Sequence, residues 1–155
     1  INSGVSGSTV PDGLSRLDRD VLRYAPDLVI IGFGINGWMF FDVSPEETRG
    51  SLHKMIRRIR KESNASILVR TPHPIMNKEM TEWVEPEVYT KTLAVIREVA
   101  REEEVELVDH YELWTNPNPD PSIMYDWIHP NEEGHLRFFR DLAPVLGVKT
   151  ELRWM

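Results

Sequence analysis

The chain has 155 residues, 41% hydrophobic and 28% charged, a balance that suits one hydrophobic core rather than a disordered polymer. Its net charge of -7 argues against a nucleic-acid partner, since phosphate backbones are bound by excess lysine and arginine. The absence of cysteine removes disulfides, thiolate metal sites and cysteine nucleophiles, and no apolar run is long enough to span a bilayer.

Helical and extended segments alternate along the chain. Ile1-Asn2 reads as the tail of a strand. Pro11 to Tyr24 has a helical period, with Leu14, Leu17, Val21 and Leu22 on one face. The continuous apolar run Leu28-Val29-Ile30-Ile31-Gly32 predicts a strand buried on both faces. Ser44-Pro45-Glu46-Glu47 is a capping box that opens a helix to about Glu62, with Leu52, Met55, Ile56 and Ile59 inward. The basic run Arg57 to Lys61 on this helix is expected to be a solvated face.

Ile67 to Thr71 is the next strand, stopped by Pro72 and Pro74. Pro86 to Glu103 predicts a helix with Tyr89, Leu93, Ile96 and Ala100 inward. Val105 to Val108 is a third strand, and Asp109 is a cap. Asn116 to Pro121 is a proline-rich loop, and Asn131 to Leu146 a last helix with Leu136, Phe139 and Leu142 inward. Such alternation predicts an α/β fold, a three-layer α/β/α sandwich around a parallel sheet. Residues 1–146 are expected to form one domain and 147–155 a tail with Trp154 as its anchor.

In an open parallel sheet the ligand lies beyond the carboxyl ends of the strands. Four segments fall there: Asn2–Thr9, Gly32–Asp42, Thr71–Trp83 and Asp109–His129. The sharpest feature among them is Asp126-Trp127-Ile128-His129-Pro130. Acyl transfer through serine needs a base that works near neutral pH, and an aspartate to fix its tautomer. Gly34-Ile35-Asn36 follows a strand, where an asparagine amide can donate to a developing oxyanion. The loop Asn2 to Thr9 is rich in glycine and serine and offers backbone N–H groups to an anion. Trp38, in the run Trp38-Met39-Phe40-Phe41, and His73 are candidate substrate contacts. His53 and His135 read as surface residues. Asp126, His129 and His135 match no standard metal-ligand spacing.

These pieces, in this order, resemble the SGNH (GDSL-type) hydrolase family. Asn2 to Thr9 resembles its glycine block, with Gly7 at the oxyanion glycine. Gly34 to Gly37 resembles its Gly-x-Asn-Asp block, with Asn36 at the oxyanion asparagine. Asp126 to His129 resembles its Asp-x-x-His block, continued by Pro130-Asn131 and Gly134. The resemblance implies a flavodoxin-like sheet and a serine esterase acting on small acyl, lipid or acetylated-sugar esters. It implies no cofactor and a small-molecule ester as substrate.

Two departures stand out. Gly37 replaces the usual aspartate, and no Gly-Asp-Ser sequence occurs in the 155 residues. The nucleophile block is expected upstream of Ile1, the chain being a piece of a longer esterase that lacks the first strand and is inactive alone. Leu28–Ile31 would then be an apolar sheet edge. Within Gly4-Val5-Ser6-Gly7-Ser8, Ser6 and Ser8 are the internal serine candidates. A non-catalytic carbohydrate- or lipid-binding descendant of the fold and a metal-dependent hydrolase are the alternatives.

Overall fold

The computed structural model describes residues 1–76 and 86–148. These fall into two compact units, one of residues 1–72 and 86–107, the other of 73–76 and 108–148. Residues 77–83 of the third candidate segment and the Trp154 anchor lie outside the described residues.

In the first unit, Thr9 caps helix α1 (Val10–Ser15). Its backbone N–H donates to Asp12 Oδ2 at 2.9 Å, and its hydroxyl receives the Asp12 N–H at 3.4 Å. Pro11 fits this first turn, where its missing N–H costs nothing. The expected single helix to Tyr24 is broken at Arg16, giving α2 (Leu17–Asp20) and a 3-10 turn, Leu22–Tyr24. Leu14, Val21 and Leu22 still pack inward, so the apolar period survives the break. No strand forms at Ile1-Asn2.

Strand β1 (Leu28–Gly32) pairs in parallel with β2 (Ser66–Arg70), Leu28 opposite Ser66 and Gly32 opposite Arg70. Among the described residues the sheet has three strands, in the order β1, β2, then β3 (Glu106–Val108). The expectation of a strand buried on both faces fails for β1. Val29 and Ile31 are buried, whereas Leu28 and Ile30 are 39% and 41% exposed. Among the described residues β1 pairs with β2 alone, and its Val29–Ile31 face is the one that joins the core. A run of five apolar residues does not reveal which face will be covered.

Between β1 and β2 run α3 (Ile35–Phe40) and α4 (Pro45–Glu62). The Ser44–Glu47 capping box forms as expected, and Leu52, Met55, Ile56 and Ile59 are buried. Helix α5 (Pro86–Glu102) contributes Val95, Ile96, Val99 and Ala100 to the same core. Ile56, Ile59, Val69 and Val99 have no exposed surface. Each such side chain stabilises the fold by about 1.5–3 kcal/mol relative to exposure.

The basic run on α4 lies on an exposed face, as expected, and is ion-paired there. Arg57 and Arg60 converge on the buried carboxylate of Glu103, and Arg58 pairs with Asp18 and Glu62. His53 is also drawn in, with Nδ1 2.6 Å from Glu103 Oε1, rather than lying free on the surface. Burial opposes charge on Glu103, but the adjoining His53 and Arg57 outweigh it and hold the carboxyl below its ordinary range.

In the second unit, Asp109 caps α6 (His110–Thr115), accepting the Glu112 N–H at 3.1 Å. This short helix carries Trp114 into a ring cluster with His73, His110 and Phe138. The last helix, α7 (Glu132–Leu142), begins after its cap Asn131. The expected inward residues Leu136, Phe139 and Leu142 are half-buried, as is Phe138, which joins the ring cluster beside Trp114. Trp114 Nε1 donates to Asp141 at 2.7 Å, an anchor that the apolar period could not show.

Candidate active site

The turn preceding α7 is built by backbone bonds. Met124 and Pro130 form an antiparallel bridge, and the Tyr125 N–H donates to the His129 carbonyl at 2.7 Å. Asn131 closes the base of the turn. Its side-chain amide donates to the Ser122 carbonyl at 2.7 Å and the Met124 carbonyl at 3.3 Å, while its own oxygen accepts the Gly134 N–H. Gly134 lets this happen, since a Cβ there would stand 2.4 Å from the Ile123 carbonyl oxygen.

Within this turn Asp126 uses both oxygens. Oδ1 accepts the N–H groups of Ile128 at 2.9 Å and His129 at 2.7 Å, and Oδ2 lies 2.8 Å from His129 Nδ1. Burial opposes the carboxylate charge, but these N–H groups and the imidazole outweigh it, so Asp126 titrates below the ordinary range. A carboxylate so fixed selects the imidazole tautomer with the proton on Nδ1 and leaves Nε2 as the base. His129 is 68% exposed, so its ring is open to an incoming group.

The oxyanion candidates belong to the first unit. Gly7 sits at φ 75°, a left-handed conformation that favours glycine, in a turn closed by the Ser8 N–H on the Val5 carbonyl at 3.1 Å. The Gly7 N–H has no acceptor among the described residues. Asn36 follows β1 as expected, in the first turn of α3. Its Nδ2 donates one hydrogen to the Ser8 carbonyl at 3.1 Å. A primary amide has two hydrogens, and the second has no acceptor among the described residues. Asn36 is thus tied to the Gly7 loop with one donor left over.

Arg16 was not singled out by the sequence, yet it organises this loop. Its guanidinium donates to the Ser3 carbonyl at 2.7 Å and to Ser8 Oγ at 3.3 Å, while Asp20 holds it at 2.9 Å. The signal was present only as an Arg and an Asp four apart on a helix, an unremarkable surface pair. The loop serines are accounted for in part: Ser3 Oγ donates to the Asp20 carbonyl, Ser8 Oγ receives Arg16, and Ser6 is exposed.

The remaining candidates are placed differently. Trp38 packs against Tyr89 with tilted rings, centroids 4.9 Å apart, and its enclosed Nε1 has no hydrogen-bond partner among the described residues. His73 is buried against Trp114, with Nδ1 3.0 Å from the Pro74 carbonyl. The geometry therefore brings together Asp126 with His129, and Gly7 with Asn36, each pair within its own unit. No cluster of three His, Cys, Asp or Glu side chains fit to hold a metal occurs among the described residues.

The sequence profile of the GDSL-like Lipase/Acylhydrolase family matches residues 1–137. An arylesterase of Vibrio mimicus is 29% identical over 136 residues, covering 86% of this chain and 62% of the arylesterase. The chain therefore spans less than two thirds of that relative's length. An acetylxylan esterase of Geobacillus stearothermophilus is 27% identical over 164 residues, covering 95% of this chain and 71% of that protein. The crystal structure of the Geobacillus enzyme superposes with a TM-score of 0.76 at 25% identity, over 97% of this chain and 73% of that one. A lipase/acylhydrolase from Enterococcus faecalis superposes at 0.78 with 24% identity, covering 90% and 71%. The parallel sheet with its helices and these superpositions bear out the expected α/β sandwich of the SGNH type.

Proposed function

The chain belongs to the GDSL-like lipase/acylhydrolase family, a family of ester hydrolases, and from that premise we propose that it supplies the acid–base and oxyanion machinery of a serine esterase. One observation carries the reading. Asp126 is locked by two backbone N–H groups on one oxygen and presents the other to His129 Nδ1 at 2.8 Å. A surface Asp–His pair has no need of such a clamp, whereas a general base whose tautomer must not change does.

The chemistry follows from these groups. His129 Nε2 takes the proton of a serine hydroxyl as its oxygen attacks the ester carbonyl, and Asp126 stabilises the imidazolium that results. The Gly7 N–H and the second Asn36 amide hydrogen receive the carbonyl oxygen as it becomes an oxyanion. His129 then gives its proton to the departing alcohol. Water repeats the sequence on the acyl-enzyme and releases the acid, returning the serine its proton. Catalytic mutants of the Geobacillus acetylxylan esterase carry replacements of an aspartate and a histidine three positions apart, the spacing of Asp126 and His129. The reading places the nucleophile in a Gly-Asp-Ser block and assigns it to neither Ser6 nor Ser8.

The names of the relatives, an arylesterase and an acetylxylan esterase, make acetylated xylo-oligosaccharides and aryl acetates the first substrates to test. The full-length protein is expected to hydrolyse both, and to bind a fluorophosphonate probe covalently at one serine. His129→Ala should abolish hydrolysis and labelling while leaving the melting temperature close to wild type. Undiminished turnover in that variant would remove His129 from the mechanism.

A further inference from the structure

Just beyond Asn36 the chain leaves two phenylalanines in solvent. Phe40 is 53% exposed and Phe41 57%, two large apolar side chains side by side at the surface. Their rings meet edge to face with centroids 6.5 Å apart. Phe41 is not loose: its ring lies beside Gly7, within 3.8 Å of where a Cβ on that residue would stand. The aromatic surface and the candidate oxyanion donor are therefore direct neighbours in one unit.

The loop is shaped to hold them there. The Val43 N–H donates to the Gly37 carbonyl at 2.9 Å, and Asp42 takes a left-handed conformation with φ 51°. This reversal folds Val43 back onto α3, so close that a Cβ at Gly37 would stand 3.2 Å from Val43 Cβ. Glycine at position 37, where the family usually carries aspartate, leaves room for this close approach of Val43. An aspartate at 37 would have to displace Val43.

We infer that the Phe40–Phe41 ledge, through Phe41, is the acyl-side specificity surface of this enzyme and takes an unbranched aliphatic acyl chain longer than acetyl. The inference rests on the functional reading above and deepens it. An ester whose carbonyl oxygen sits at Gly7 and Asn36 has two substituents on that carbon. The alcohol oxygen must meet a proton donor, so its surroundings are polar. The acyl chain makes no polar demand, and an apolar ring beside Gly7 serves it. Because the rings are half open to solvent, the ledge is a wall rather than a closed pocket, so it rewards chain length without a steric cut-off.

The test compares p-nitrophenyl acetate, butyrate and hexanoate, which share one leaving group, in the full-length protein and its Phe41→Ala and Phe41→Leu variants. Complete burial of a methylene is worth about fourfold in binding, and a one-sided ledge captures part of that. The hexanoate-to-acetate ratio of kcat/KM should fall roughly tenfold in Phe41→Ala and stay within about threefold of wild type in Phe41→Leu, which keeps an apolar side chain. Melting temperatures report folding separately. Acetate hydrolysis with a ratio that Phe41→Ala leaves unchanged overturns the inference and leaves the esterase reading standing. A ratio that instead moves when acetate is kept and the alcohol is lengthened overturns the acyl assignment. No hydrolysis of any ester by the wild type overturns the esterase reading, and the inference with it.

Discussion

Replacing Asp126 by asparagine separates the two jobs of this side chain. The carboxylate accepts three hydrogen bonds: two from backbone N–H groups on Oδ1, and one from the imidazole on Oδ2. Asparagine can keep its carbonyl oxygen on the Ile128 and His129 N–H groups. Its NH2 then faces His129 Nδ1 at the position of Oδ2, and a donor there requires Nδ1 to accept. The proton moves to Nε2, the atom that must act as base. The same inversion costs about 10⁴ in kcat in a serine protease triad, and a loss of that order is expected here. Stability should change little, because the turn keeps its two backbone bonds. Asp126→Ala, by contrast, removes those bonds as well. At about 0.5–1.5 kcal/mol each, discounted because Asp126 is 37% exposed, the alanine variant should lose about 1–2 kcal/mol, a drop of several degrees in Tm. The assay is kcat/KM on p-nitrophenyl acetate in the full-length protein, beside thermal melts of both variants. An asparagine variant with more than a tenth of wild-type activity would refute the tautomer argument. An asparagine variant that melts as low as the alanine one would refute the proposed split of roles.

Asn36→Ala should lower kcat by about 10²–10³ with little change in KM, because the amide serves the oxyanion rather than the ground-state carbonyl; an equal loss through KM alone would speak against it. Gly134→Ala drives a Cβ into the Ile123 carbonyl, 2.4 Å away, so the Asn131 clamp must shift. A loss of about 1–3 kcal/mol in urea unfolding, with reduced activity, is expected, and an unchanged midpoint would show that the helix can move aside. For Glu103 the sign is fixed by its lowered pKa. Its folded form favours the carboxylate, so its contribution is present above the ordinary glutamate range and is lost as pH falls through the folded value. Glu103→Gln should cost about 1–3 kcal/mol at pH 7, with that difference shrinking below pH ~4. A difference that stays constant with pH would mean the carboxylate charge is not what the cluster uses.

Much of this molecule is legible from local pattern. Ser44-Pro45-Glu46-Glu47 starts α4 as the capping box requires, and the inward residues of α4 and α5 are those their 3.6-residue period selects. Asp126, three residues before His129, was equally readable, because a tight turn has few ways to join two such side chains. Asn36 and Gly7 could be named from their order in the chain. What could not be read was the bond that ties Asn36 to the Ser8 carbonyl, or Arg16 as the clamp of the same loop.

These failures share a cause. The break of the first helix at Arg16 lets a side chain reach Ser3, thirteen residues away, and nothing in a helical period signals that. The half-exposed face of β1 depends on which helices arrive to cover it. The contact of Phe138 with Trp114, and the hydrogen bond of Trp114 to Asp141, join residues more than twenty positions apart. Sequence by itself determined most of the elements, their order and the pairing of Asp126 with His129 in one turn, since these depend on backbone sterics and neighbours a few residues apart. Tertiary structure alone decided which apolar faces are covered and which donors remain unspent, because those depend on contacts between residues distant in the chain.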